Sequence, residues 1–376
     1  MHAMKTLAAL LLAFLFTLAA SAAEPWLKAG DVVALVGGED MVALAEEGWL
    51  ETLVTWAQPG DRIRWRSLAW EGDTVFEQRR DLNYPALETQ LDRMGATVVI
   101  CQFGKMESFA GKEGVAAFTE AYGKLLARLS GEKDWRFVLD GKHDPNPRSY
   151  SFDFPRLVKE WSWEGGSFAL SGGHIDYEQD HRSGEKKRRI ALVLPPRFGP
   201  LEDEPTSLVL PDFKPRNAVL AVYLDAIRKL AAQHGTRVLD PDCLLDDKTY
   251  LRPTRDGVHL VLTVFIHATD LGQSASAYAL ASALVDLPLP TKSYPYFGIS
   301  LKQIDLNTAI QAKNRLWFHY TRPQNWAFLA GNRTNQPSSR DHLDPTKRWF
   351  PEEMEQWVPL IEAKEKEIWA LAAAPR

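Results

Sequence analysis

Cysteine is scarce in this chain: Cys101 and Cys243 are the only two among 376 residues. No CxxC pair or cysteine–histidine spacing accompanies them, which excludes the usual zinc signatures, and neither a metal nor another cofactor is expected. Cys101 closes an apolar run over 97–101 and reads as a buried thiol that packs like a small hydrophobe. Basic excess is missing as well. With 44 Lys and Arg against 49 Asp and Glu, the net charge of -5 offers no general pull toward nucleic acid or anionic membranes. Internal repeats and low-complexity tracts are also absent, so neither a solenoid nor a disordered chain is indicated.

The chain opens on an export signal. Lys5 supplies a small positive start, residues 7–18 are apolar, and Ala20-Ser21-Ala22 or Ser21-Ala22-Ala23 offers small residues suited to cleavage. The apolar run is shorter than the ~20 residues a bilayer-spanning helix needs. A signal peptide over 1–23 is expected, with the mature protein periplasmic or extracellular and no stable membrane span left after cleavage.

What remains is a globular composition, 45% hydrophobic with 13 tryptophans, able to build a large core. Short β-branched runs at 32–36, 62–68, 97–102, 190–194 and 236–239 alternate with amphipathic stretches at 41–57, 84–94, 114–129 and 215–234. That alternation predicts βαβ units around a parallel sheet, each stretch being long enough for a crossover. The rhythm breaks over about 133–188, where Gly, Pro, Asp, Ser and Trp dominate, and a β-rich insertion near the active-site rim is expected there. Beyond 290, helical spacing over 300–320 and 351–372, with a stripe of Met354, Trp357, Ile361, Ile368 and Leu371, predicts a helical extension covering the sheet. The expected organisation is one domain over 24–290 followed by this extension over 291–376.

Three segments can carry chemistry. Asp256-Gly257-Val258-His259 places an aspartate three residues before a histidine on a tight turn, where it can fix the imidazole tautomer and steady its protonated form. Two further segments, Gly72-Asp73-Thr74-Val75 and Gly104-Lys105-Met106-Glu107-Ser108, follow the second and third strands, at the sheet edge where open α/β folds bind ligands. Gly72 can bring a backbone N–H close to a developing oxyanion.

In their order and wording, the GDTV, QFGxxESFAG and DGVHL segments resemble a secreted bacterial subgroup of the SGNH/GDSL hydrolases, as does the stretch over 313–323. The resemblance covers most of the mature chain except the insertion. It implies a three-layer α/β/α flavodoxin-like fold with a five-stranded parallel sheet, ester hydrolysis, and a small-molecule or carbohydrate ester as substrate. It further implies that Gly72 is an oxyanion donor and that His259 and Asp256 are the catalytic histidine and its aspartate. The family's Gly-Asp-Ser turn falls on Gly37-Gly38-Glu39, so Glu39 occupies the nucleophile position. Its Gly-x-Asn block falls on Gly104-Lys105-Met106, putting Met106 where an oxyanion asparagine belongs.

Both departures strike the chemistry. A carboxylate nucleophile would form a mixed anhydride, methionine donates no hydrogen bond, and one lost oxyanion donor typically costs about 10² to 10³ in turnover. Three alternatives stay open: a relocated hydroxyl at Ser67, Thr74 or Ser108; a general-base cluster of Glu39, Asp40, Glu107 and His259 acting on water; or a silent crevice that binds a glycan or other partner. In the plainest reading, Glu39 and Asp40 only favour the start of a helix. Over 174–181, His174, Asp176, Asp180 and His181 read as a solvated loop, and 186–189 as a solvated basic edge. Trp161, Trp163, Trp317 and Trp326 read as packing aromatics rather than a sugar platform.

Overall fold

The structure is a computed structural model describing residues 25–78, 80, 84–131, 134–139, 175–180, 188–198, 214–242, 270–285, 300–324, 326–329, 333–334 and 336–375. Five parallel strands, β1 (Val32–Gly37), β2 (Arg64–Ser67), β3 (Val98–Gln102), β6 (Arg189–Val193) and β7 (Arg237–Leu239), form one sheet in the order β2-β1-β3-β6-β7. Each falls within two residues of an apolar run seen in the sequence. An antiparallel pair, β4 (Asp134–Leu139) and β5 (Ile175–Asp180), stands apart within the Gly/Pro/Trp-rich stretch.

Near-continuous burial along β1 and β3 follows from helices covering both faces of a parallel sheet. Val33, Leu35, Val98 and Ile100 face α1 (Glu39–Glu47), α2 (Trp49–Ala57) and α6 (Asp270–Val285). Ala34, Val36, Val99 and Cys101 face α4 (Val115–Ser130) and α5 (Lys214–His234) through Phe118, Tyr122, Tyr223 and Ile227. The period-2 alternation of strand side chains thus divides the core into two layers, and the three-layer α/β/α fold is present. Cys101 is fully buried beside the Tyr122 hydroxyl, and burial pushes its thiol up to about 12, so it is a packing residue. Residues 188 and 189 are not a solvated edge: Arg188 pairs with Asp92 on α3 (Leu87–Arg93), and Arg189 with Asp31, which tie the start of β6 to its neighbours.

The sequence predicted one helix over 41–57, and the structure has two. Gly48 sits between them at φ +70, and a Cβ there would come 3.0 Å from Ile310 of α7 (Leu301–Thr321). The carbonyl of Glu47, left open by the break, accepts hydrogen bonds from Asn307 and Gln311 of α7. The helix expected over 351–372 also divides, into α9 (Trp349–Glu355) and α10 (Trp357–Ala373), after a four-residue helix α8 (Trp326–Leu329). Pro359 lacks the N–H that would bond the Glu355 carbonyl across this break.

Helix α7 starts at a capping box formed by Ser300 and Gln303 and packs on α10 through Leu306, Ile310, Ile368 and Ala372. Charge, not only apolar surface, joins the pair to the sheet. Lys313 of α7 is fully buried and donates to both carboxylate oxygens of Glu51, at 2.8 and 2.7 Å. Glu365 of α10 pairs with Arg66 of β2 at 2.5 Å. Burial pushes the Glu51 carboxyl up and the Lys313 ammonium down, and their mutual attraction opposes both shifts. Removing one partner strands a buried charge, so Lys313→Met is expected to cost about 3–5 kcal/mol in urea unfolding. Glu51→Met with Lys313→Met is expected to recover most of that loss; an additive double-mutant loss would show that the pair is not acting as a unit.

Candidate active site

Strand order reverses between β1 and β3, since the chain runs from β1 to β2 on one side and returns to β3 on the other. Crevices at such switch points, beyond the carboxyl ends of the strands, are the usual ligand sites of open α/β sheets. The turn into α1 lies here. Gly37 adopts φ +150, and a Cβ on it would come 2.6 Å from the Gln102 carbonyl oxygen and 2.7 Å from Met41 Cγ. A Cβ on Gly38 would lie 3.1 Å from the Asp73 carbonyl oxygen. Two successive glycines therefore let β1, β3 and the Gly72 loop meet, and Glu39 follows as the first residue of α1, half-buried.

The Gly72 loop is fastened to that turn. The Trp70 N–H donates to the Gly37 carbonyl at 2.9 Å, and the Asp73 N–H donates to the Trp70 carbonyl at 3.1 Å. Gly72 is exposed at φ +82 with no atom within 4 Å of its would-be Cβ, so its backbone borders open space. Asp73 is buried and receives a bidentate pair from Arg80, both contacts at 2.7 Å. Burial raises its carboxyl, and the Arg80 guanidinium pulls it back. Arg80 also lies 4.2 Å from the Trp70 ring centroid, and Arg322 lies 4.3 Å from it. Arg322 bonds Glu71 and the Ala69 carbonyl, so the end of α7 braces this loop. Trp70, Arg80, Tyr84 and Arg322 line a shallow, solvent-open cleft beside it.

The loop after β3 completes the described wall. Lys105 reaches across to Asp40 of α1 at 3.3 Å. Met106 is 53% exposed, so its thioether does not close the crevice. Glu107 is buried and accepts two backbone N–H groups, from Val75 and Gly104, each at 2.7 Å. Ser108 is buried too, and its hydroxyl donates to the Lys105 carbonyl at 2.6 Å. Thr74 uses its hydroxyl to accept the Glu77 N–H. Ser67 is half-buried at the end of β2, and its carbonyl accepts the Trp317 indole N–H. The structure thus brings Glu39 and Asp40, on the first turn of α1, beside the loops that carry Gly72 and Asp73 and Gly104, Met106, Glu107 and Ser108, with Glu107 and Ser108 engaged by backbone.

Asp256 and His259 lie outside the described residues, as do Cys243, Trp161, Trp163 and the segment over 174 and 181–187. Asp176 and Asp180 belong to β5. Among the described residues no group of three or more His, Cys, Asp or Glu is placed to hold a metal ion, and no helix is long and apolar enough to cross a membrane. Trp317 is buried against the core, and Trp326 packs on Tyr84 at 4.6 Å. The Arg80–Asp73 pair and the guanidinium contacts on Trp70 went unseen in the sequence; the Arg322 partner of Glu71 is 251 residues away and leaves no local signal.

The tight turn makes a prediction. Gly37→Ala adds backbone strain and displaces Gln102 or Met41, for an expected loss of about 2–5 kcal/mol in denaturant unfolding. Gly72→Ala meets only the backbone term, about 1–2 kcal/mol. Equal losses at the two sites would show that crowding at the β1 turn does not matter.

No protein-family model matches the sequence, and no curated protein matches it. Among solved structures the chain is similar to a gut microbial diltiazem-metabolizing enzyme, with 11% identity and a TM-score of 0.50 over 92% of this chain and 96% of that one. It is also similar to a catalytic mutant of an acetylxylan esterase from Geobacillus stearothermophilus, with 12% identity and a TM-score of 0.40 over 69% and 96% of the two chains. An aryl esterase from M. smegmatis aligns at 12% identity and a TM-score of 0.35 over 67% and 97%. At such identities, likeness concerns the fold alone. With its 2-1-3-6-7 strand order, helices on both faces and a glycine turn at the switch point, the chain has a three-layer α/β/α, flavodoxin-like fold, shared over 92% of its length with the diltiazem-metabolizing enzyme.

Proposed function

We propose that the protein is an exported, esterase-like hydrolase whose turn after β1 presents Glu39 in place of a seryl nucleophile, acting on a small-molecule or carbohydrate ester. The packing of that turn supports this reading most. Gly38 abuts the Gly72 loop and Asp40 pairs with Lys105 of the β3 loop, so Glu39 stands between two loops at the switch point. Direct attack by its carboxylate is chemically poor, because the product would be an anhydride. Water is the better nucleophile here. His259, oriented by Asp256, takes a proton from water as the water oxygen attacks the acyl carbon, while Glu39 accepts the second hydrogen and holds that water in line. The Gly72 N–H bonds the developing oxyanion. On collapse the acyl–oxygen bond breaks, the leaving oxygen takes the proton back from His259, and acid and alcohol result.

A second reading, a silent crevice that binds a glycan or other partner, is favoured by one observation. Met106 is half-exposed and offers no donor where an asparagine would be needed. Hydrolysis of p-nitrophenyl acetate by the mature protein separates the two. The hydrolase reading expects slow but saturable turnover that falls at least tenfold in Glu39→Gln and in His259→Ala, roughly the low end of a lost catalytic group. Wild-type rates equal to buffer would overturn it and leave the silent crevice.

A further inference from the structure

Glu107 is a buried carboxylate on the β3 loop that the water-activation scheme does not use. It is 6% exposed, and its two oxygens accept different partners: Oε1 takes the Val75 N–H and Oε2 takes the Gly104 N–H, each at 2.7 Å. One partner is local and the other lies on the neighbouring loop, 32 residues away in sequence. Val75 follows Gly72 by three residues, and Gly104 precedes Met106 by two. Both amides sit in buried backbone that forms no ladder with a strand, so each needs an acceptor, and the two carboxyl oxygens of Glu107 supply one apiece.

The rest of the turn is built to keep the carboxylate in place. The Ser108 N–H donates to the Gly104 carbonyl at 3.0 Å, and the Ser108 hydroxyl donates to the Lys105 carbonyl at 2.6 Å. Gly104 itself holds φ +119, and a Cβ there would come 3.2 Å from Ile227 and 3.3 Å from Phe118, so the loop rests directly on the helix layer beneath it. From this we infer that Glu107 is a positioning residue, a two-armed clamp that fixes the Gly72 loop against the β3 loop. Its bearing on catalysis rests on the hydrolase reading above, since these are the loops that flank the oxyanion donor. Displacing such a donor by about 1 Å is enough to lower a rate by two orders of magnitude.

Glutamine is the informative substitute. It keeps the length but offers one oxygen, and its amide N–H₂ meets the second backbone N–H donor to donor, so one arm must open. Amide hydrogen exchange of the full chain reads this without any substrate. In Glu107→Gln, exchange at Val75 or Gly104 is expected to quicken at least tenfold, while the amides of Val33 to Val36 in β1 keep their wild-type rates. Unchanged rates at both loop amides would overturn the clamp, as would acceleration spread equally through β1, which would make Glu107 an ordinary core group. Should Glu107→Gln not fold, Glu107→Asp, which keeps the charge but is too short to span both arms, serves for the same reading. Turnover of p-nitrophenyl acetate adds a second arm: a kcat lowered tenfold or more with KM within twofold is expected, and an unaltered kcat contradicts the positioning role. Absence of wild-type turnover counts against the hydrolase reading alone, and the exchange rates then decide the clamp by themselves.

Discussion

At the end of β1 the carbonyl oxygen of Gln102 lies 2.6 Å from where a Cβ on Gly37 would stand, and Met41 lies 2.7 Å from it. Only a residue without a side chain lets the two central strands and the first helix come this close. The consequence extends outward. With Gly37 seated, its carbonyl takes the Trp70 N–H, the Gly72 loop lies over Gly38, and Asp40 on the first turn of α1 comes within reach of Lys105. Three loops remote in sequence are thereby gathered at the switch point, and Glu107 joins the second to the third.

The C-terminal helices stiffen the same frame from its β2 edge. Lys313 and Glu365 carry buried charge to Glu51 and Arg66, Trp317 donates to the last carbonyl of β2, and Arg322 continues along that edge onto Trp70 and Glu71. A β2 strand only four residues long makes few ladder bonds, so these side-chain contacts supply much of what holds it. The Gly72 loop is an extension of that strand, and its geometry depends on helices more than 230 residues further along the chain.

The sheet was legible because β1, β3 and β6 are buried on both faces and therefore appear as unbroken apolar runs. The helices were legible in extent but not in their breaks. Gly48 ends α1 in the left-handed conformation, and the Glu47 carbonyl freed there is taken up by Asn307 and Gln311, 260 and 264 residues away. Lys313 and Glu365 are charged by type, yet both are buried, and only their partners, Glu51 on α2 and Arg66 on β2, reveal why. Glu107 was visible as an acid near the crevice. Its commitment to two amides was not, since the Val75 partner belongs to another loop. Glu39 and Met106 were placed on their loops by the order of the segments, whereas Asp256 and His259 lie outside the described residues.

Residue 39 is proposed to stand in the nucleophile's place, with no hydroxyl elsewhere in its role. Treatment of the intact protein with a fluorophosphonate, followed by mass spectrometry of its peptides, tests this directly, because an activated hydroxyl displaces fluoride and keeps the phosphonyl group. The account predicts no adduct on the wild-type chain and one adduct, on residue 39, in Glu39→Ser. An adduct on Ser67, Thr74 or Ser108 of the wild type, or an unlabelled Glu39→Ser, would contradict it.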